Sequence, residues 1–238
     1  MDRLLYHNEF KFTRPAVLLL SALFVLGACK GDKSTGPHTT PPPPPPPPPA
    51  AAPHETTVPT TNPGFVEART SQIVTDGSPP SQVFDDFTIA ATRAFTTVSW
   101  QGIYCVQQQN AAAPQPTASA FTISFYSDAS GRPNLNAPLH KSTYTVAQSE
   151  QTFEKTVTGL TCGTAPNTTW PFYKYQVTLP TAFTAIGGTK YWISIQATTP
   201  SYAVYFGWRD GLPHNNSSLH LFQGVYTSHN VDRAYSLR

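Results

Sequence analysis

Trp192 alternates with Ser194 and Gln196 along YWISIQA, so an indole shares the polar face of a strand with a hydroxyl and an amide. An exposed ring of this kind is a surface on which the apolar face of a sugar stacks, while amides and hydroxyls bond the sugar's edge. Gln196, Tyr126 and Tyr205 would complete such a platform with Trp192. The same pattern fits a ring buried beneath a loop such as NTTWPFY, where Trp170 would pack as well, and both readings stand at this point. Trp100 and Trp208 sit with the apolar residues of their strands and read as core.

SDASGRP, from Ser127 to Pro133, reads as a turn: Asp128 bonds the backbone that follows it, Gly131 supplies a positive φ, and Pro133 ends strand pairing. Asp128 is also a candidate calcium ligand, with Asp85, Asp86 and Asp210 as helpers, since calcium takes carboxylate and carbonyl oxygens. Glu150 and Glu154, four apart, would stand about 13 Å from each other on one strand face. That is wider than the ~6.5–9.5 Å of an inverting glycosidase pair. His214, His220 and His229 show no metal-binding spacing, and no GxSxG, Gly-rich phosphate loop or locally supported Cys-His pair is present. No catalytic residue emerges, and the expectation is a binding or structural protein rather than an enzyme. The other readings are a structural or adhesive module with protein partners and, third, a glycan-active hydrolase.

These side chains need a frame, and the start of the chain says where that frame works. Arg3, Lys11 and Arg14 precede the apolar run AVLLLSALFVLGA, which at 13 residues is short for a membrane span. Leu26-Gly27-Ala28-Cys29 resembles the lipobox of bacterial lipoproteins. The resemblance implies a signal peptide over residues 1–28, cleavage before Cys29, diacylglycerol on its sulfur and an acylated new N-terminus. Two or more acyl chains hold a protein on a bilayer stably where one holds it only marginally. Lys30 stands where inner-membrane lipoproteins of the enterobacterial type often carry aspartate, which implies the outer membrane.

Residues 29–63 then form a stalk. Between Lys30 and Pro63 the large apolar residues are almost absent, so nothing offsets the entropy of ordering. Nine consecutive prolines, Pro41 to Pro49, favour extended polyproline II, a block of roughly 28 Å at ~3.1 Å per residue. The head runs from 64 to 238. Charged residues make up 12% of the chain, about half the ~25% usual for soluble domains. After residue 28 the chain is nearly neutral and shows no electrostatic footprint for nucleic acid.

With Cys29 assigned to lipid, Cys105 and Cys162 remain, and an oxidising compartment favours pairing them over two separate buried thiols. Closing a loop of that length contributes ~4 kcal/mol in the chain-entropy picture.

The head itself reads as strands. VFDDFTIA, FTTVSWQGIYC, FTISFYSD, YKYQVTL, YWISIQA, YAVYFGW, SLHLFQGV and RAYSLR alternate apolar and polar residues between turn-forming Gly, Pro, Asn and Asp. Eight or more such strands predict an all-β, antiparallel sandwich of jelly-roll type. DDFTI, VSWQGIY, FTISFYSDASGRP, YQVTLPTAF, GGTKYWISIQA and DRAYSLR together are similar to a β-sandwich domain of secreted bacterial proteins, over residues 83 to 238. That resemblance implies a jelly roll in an export context and carries over no catalytic residue. The combined expectation is a membrane-anchored, extracytoplasmic head that binds a polysaccharide or a surface protein, without a cofactor unless a structural calcium ion.

Overall fold

Alternation of this kind becomes strands because each residue pair offers one apolar and one polar side chain, and only a pleated backbone sends them to opposite faces. The structure, a computed structural model, describes residues 54–55, 68–106, 116–157, 170–211 and 215–238. The strands are β1 (His54–Glu55), β2 (Ala68–Thr70), β3 (Gln72–Val74), β4 (Ser81–Thr88), β5 (Arg93–Val106), β6 (Ala120–Ser127) and β7 (His140–Thr145). They continue with β8 (Thr152–Val157), β9 (Trp170–Ala185), β10 (Lys190–Thr199), β11 (Val204–Arg209), β12 (Ser218–Phe222), β13 (Val225–His229) and β14 (Tyr235–Leu237).

Among the described residues these strands form two seven-stranded sheets. In the first, long β5 takes β9 along one edge and β14 then β11, end to end, along the other. β8 extends this sheet beyond β9, β2 pairs with β11, and β1 pairs with β14. The second sheet runs β13-β12-β4-β10-β6-β7, with β3 set beside β4 and β10. The pairings are antiparallel except β3 with β10, where Ala197 to Thr199 meet Gln72 to Val74 in parallel. The exception arises because the chain passes from one sheet to the other at Ser71. Its N–H donates to Phe206 of the first sheet, and its hydroxyl donates to Ile195 of the second.

Between the sheets lies an aromatic core. Val98, Trp100 and Tyr104 of β5, Phe121, Ile123 and Phe125 of β6, Tyr175, Val177 and Leu179 of β9, and Tyr191, Ile193 and Ile195 of β10 all face inward. Trp100 stacks on Tyr175 at 5.1 Å, and Phe125 on Phe183 at 4.1 Å. Each such ring contributes on the order of 1.5–3 kcal/mol by burial. Gly102 is required here, since a Cβ would collide with the Phe206 ring.

The eight sequence-predicted strands are all present, with SLHLFQGV resolving into the β12–β13 hairpin. Five more flank them. β1, β2 and β3 are too short to show a period, while β7 and β8 are polar edge strands. β1 lies ahead of residue 64, where the head was expected to start, and pairs with β14. The expected signal peptide, Cys29 and nearly all of the expected stalk lie outside the described residues, as do Cys162 and His214.

Candidate functional site

The outer face of the second sheet gathers most of the residues chosen for sugar binding. Trp192, Ser194 and Gln196 point away from the core, with Tyr126, Ser124 and Thr122 of β6 opposite them in register. Asp86 and Phe84 of β4 flank Trp192 and Ser194 on the other side. Tyr205 does not join them, because β11 belongs to the first sheet. There it packs with Ile103, Cys105, Trp170 and Phe172, and its ring lies 5.4 Å from that of Tyr202.

The expected stacking platform is not open. Trp192 is only 1% exposed, within a cluster of Phe84, Tyr126 and Leu219 rimmed by Leu221 and Tyr226. Its Nε1 donates to Asp128 Oδ1 at 2.8 Å, and the Lys190 ammonium sits 4.6 Å above its ring. The cause is the β6–β7 loop, which folds back onto this face. Ser130 and Gly131 both adopt positive φ there, and Gly131 N–H donates to Asp128 Oδ2. Arg132 then lies over Tyr226 at 5.1 Å. Tyr126 and Gln196 are also buried: Tyr126 Oη accepts from Gln82, and the Gln196 amide donates to the Ser81 carbonyl.

Asp128, the expected calcium ligand, thus commits both oxygens to the turn and to Trp192. Among the described residues no group of three or more His, Cys, Asp or Glu side chains is placed to hold a metal ion.

Asp85 and Asp86 are consecutive in a strand, so their carboxylates point to opposite faces. Asp85 points inward with Val83 and Phe87, and one of its oxygens accepts the Arg233 backbone N–H at 2.6 Å. Burial pushes its pKa well above the ordinary value of 3.8; the Arg233 N–H opposes this, while Asp232 and Asp86 reinforce it. Arg233 is fully buried, paired with Asp210, and donates through Nε and Nη2 to the Ser218 hydroxyl. Asp232 accepts the backbone N–H groups of Asn215, Asn216 and Ser217. Burial, and then the three acids Asp85, Asp86 and Asp232, pushes the Tyr235 phenol upward as well. These contacts make a clasp that ties the C-terminal segment to β4, to the end of β11 and to the lead-in of β12.

Asp86 faces outward but is only 6% exposed. A single oxygen, Oδ2, meets both Lys190 Nζ and Asn215 Nδ2, each at 2.9 Å.

Among known families, residues 56–228 match DUF7901, a domain of unknown function. That span is well over half of the chain. The chain belongs to the DUF7901 family. No curated protein and no solved structure matches it. The match stops short of Asp232 and Arg233, the C-terminal side of the clasp.

Elsewhere in this DUF7901 domain the candidate acids stay apart. Glu150 accepts from Gln176, and Glu154 pairs with Lys174 at 3.4 Å. A bulge in β8 and a positive φ at Glu150 break the regular strand spacing assumed for them. His220 shares a hydrogen bond with the Ser81 hydroxyl, and burial, then Arg69 and Arg233, pushes its pKa down. Sequence reasoning missed Lys190, Asn215, Asp232 and Arg233. The available signals were two aspartates inside a strand, where Asp is depleted, and the charged start of DRAYSLR.

Proposed function

We propose that the chain is a lipid-anchored, extracytoplasmic bacterial protein whose sandwich is a structural or adhesive module meeting protein partners. The resemblance of Leu26 to Cys29 to a lipobox and the proline-rich stretch after it support an anchor with the head held off the outer membrane. The observation that carries the choice of module is the burial of Trp192. With its indole held by Asp128 and capped by Lys190, the ring that a sugar would stack on is occupied by the protein itself. The carboxylates lend no support to hydrolysis, since Asp85 faces the core and Asp86 the outer surface. A polysaccharide ligand stays as a second reading because Tyr202 and Tyr205 form a half-exposed pair on another surface.

The test uses full-length protein in detergent on a glycan array, beside Tyr205→Ala. No glycan bound, together with one envelope protein captured by a photo-crosslinker at exposed Val225, supports the module with protein partners. Glycan binding that disappears in folded Tyr205→Ala would replace that reading with the polysaccharide one. Membrane attachment is tested separately, since Cys29→Ala is expected to move the protein to the soluble fraction.

A further inference from the structure

We infer that Lys190, Asp86 and Asn215 form a self-processing site that joins the Lys190 side chain to the Asn215 side chain through an amide bond. The required groups are already assembled. Lys190 supplies a primary amine, a strong nucleophile once neutral. Asn215 supplies a carboxamide carbon. Asp86 touches both reacting nitrogens through one oxygen, Lys190 Nζ at 2.9 Å and Asn215 Nδ2 at 2.9 Å. A single buried carboxylate so placed can take a proton from the amine and give one to the leaving nitrogen.

The electrophile is fixed as well. Asn215 Oδ1 accepts the Ser217 N–H at 3.0 Å, which polarises the carbonyl and supports negative charge on that oxygen during attack. Asp232 anchors the Asn215 backbone N–H at 3.1 Å, holding the residue against β4. The Trp192 ring lies beneath Lys190 at 4.6 Å and keeps the amine from swinging inward.

The reaction balances without any added oxidant, reductant or cofactor. The Lys190 ammonium hands a proton to Asp86, and the freed lone pair attacks Asn215 Cγ to form the Nζ–Cγ bond. Asp86 returns that proton to Nδ2 and takes a second one from Nζ. The carbonyl re-forms, the Cγ–Nδ2 bond breaks, and ammonia leaves, picking up the proton left on Asp86 as ammonium. One amide replaces another, and the chain becomes lighter by one ammonia. The bond would tie the start of β10 to the lead-in of β12, so that the excursion through β11 into the other sheet becomes a closed covalent loop.

The experiment is a tryptic digest of the purified full-length protein, read by tandem mass spectrometry, beside Lys190→Arg and Asp86→Asn. Wild type is expected to give one branched species joining the peptides that carry Lys190 and Asn215, one ammonia lighter than their sum. Both variants are expected to lose it completely. Lys190→Arg preserves a cation on Asp86, so its loss of the bond is not a loss of fold, which circular dichroism verifies. Recovery of only separate linear peptides from wild type would overturn the inference. So would an ammonia deficit that persists in Lys190→Arg, or a species lighter by one water that joins Lys190 to Asp86.

Discussion

Trp192 is packed against Phe84, Tyr126 and Leu219 and bonded to Asp128, so its removal deletes packing before it deletes any binding surface. Trp192→Ala is expected to cost about 3–5 kcal/mol, the range for a large aromatic removed from a well-packed site. Calorimetry would show this as a lowered Tm. Trp192→Phe should recover most of the packing and retain a deficit of about 1 kcal/mol from the Asp128 oxygen left without its donor. Asp85 makes a prediction of the opposite sign. Its folded pKa lies above the ordinary 3.8, so between those two values the native state holds more protons than the unfolded chain. Stability therefore falls as pH rises through that window and stays reduced above it. Asp85→Asn keeps an oxygen for the Arg233 N–H and removes the charge, while Asp210 remains to pair with the guanidinium. The variant is expected to be more stable than wild type at pH 7 and to lose the decline above pH 3.8, as read from thermal unfolding across a pH series. A wild-type profile that instead rises through that window would mean Asp85 is held ionised.

Phe222 and Val225 close the β12–β13 hairpin, with Gln223 at φ 49° and Gly224 at φ 79° between them. Two central residues with positive φ are the turn whose twist matches a two-residue hairpin, and Asn-Gly is its preferred sequence. Gly224→Val is expected to destabilise by about 1–2 kcal/mol, the cost of forcing a branched residue into left-handed backbone. Gln223→Asn is expected to stabilise by ~0.5 kcal/mol. Denaturant midpoints at unchanged slope would measure both. At this scale the fold was largely legible. β5, β6, β9 and β10 alternate so regularly that their inward residues could be assigned from order alone. What was not legible were pairings carried by the backbone. A strand of two residues such as β1 has no period, and the parallel step at β3 depends on how Ser71 bonds both sheets. The outer face posed a different difficulty. Period two correctly put Trp192 on the polar side of β10, but whether that side meets water was decided by a loop sixty-odd residues earlier in the chain.

For the molecule as a whole, what holds the ends in place matters most. The compact unit from Ala50 to Arg238 includes β1, whose pairing with β14 brings the chain's entry into the sandwich beside its C-terminal strand. The Asp232–Arg233 clasp fixes that same C-terminal segment from the other side. The sequence suggested the anchor because a lipobox is a local word of four residues, whereas the clasp is written in Asp85, Asp210 and Arg233, positions that only the fold brings together. The expected Cys105–Cys162 disulfide belongs to this scale. Cys105, near the end of β5, is buried on the outer side of the first sheet with Trp170 and Phe172, which begin β9, the strand after the segment carrying Cys162. A bond there would staple the β8–β9 connection onto β5 and close a long loop, worth ~4 kcal/mol if the unfolded chain is the state it restrains. Non-reducing peptide maps of protein exported to an oxidising compartment should then join the two cysteine-containing peptides, and reduction should lower the Tm. Because the aromatic core between the sheets does not include Cys105, reduction should leave the far-UV spectrum of a sheet protein at low temperature. Collapse of that spectrum on reduction would mean that the loop, rather than the stacked rings of Trp100, Tyr175, Phe125 and Phe183, holds the two sheets together.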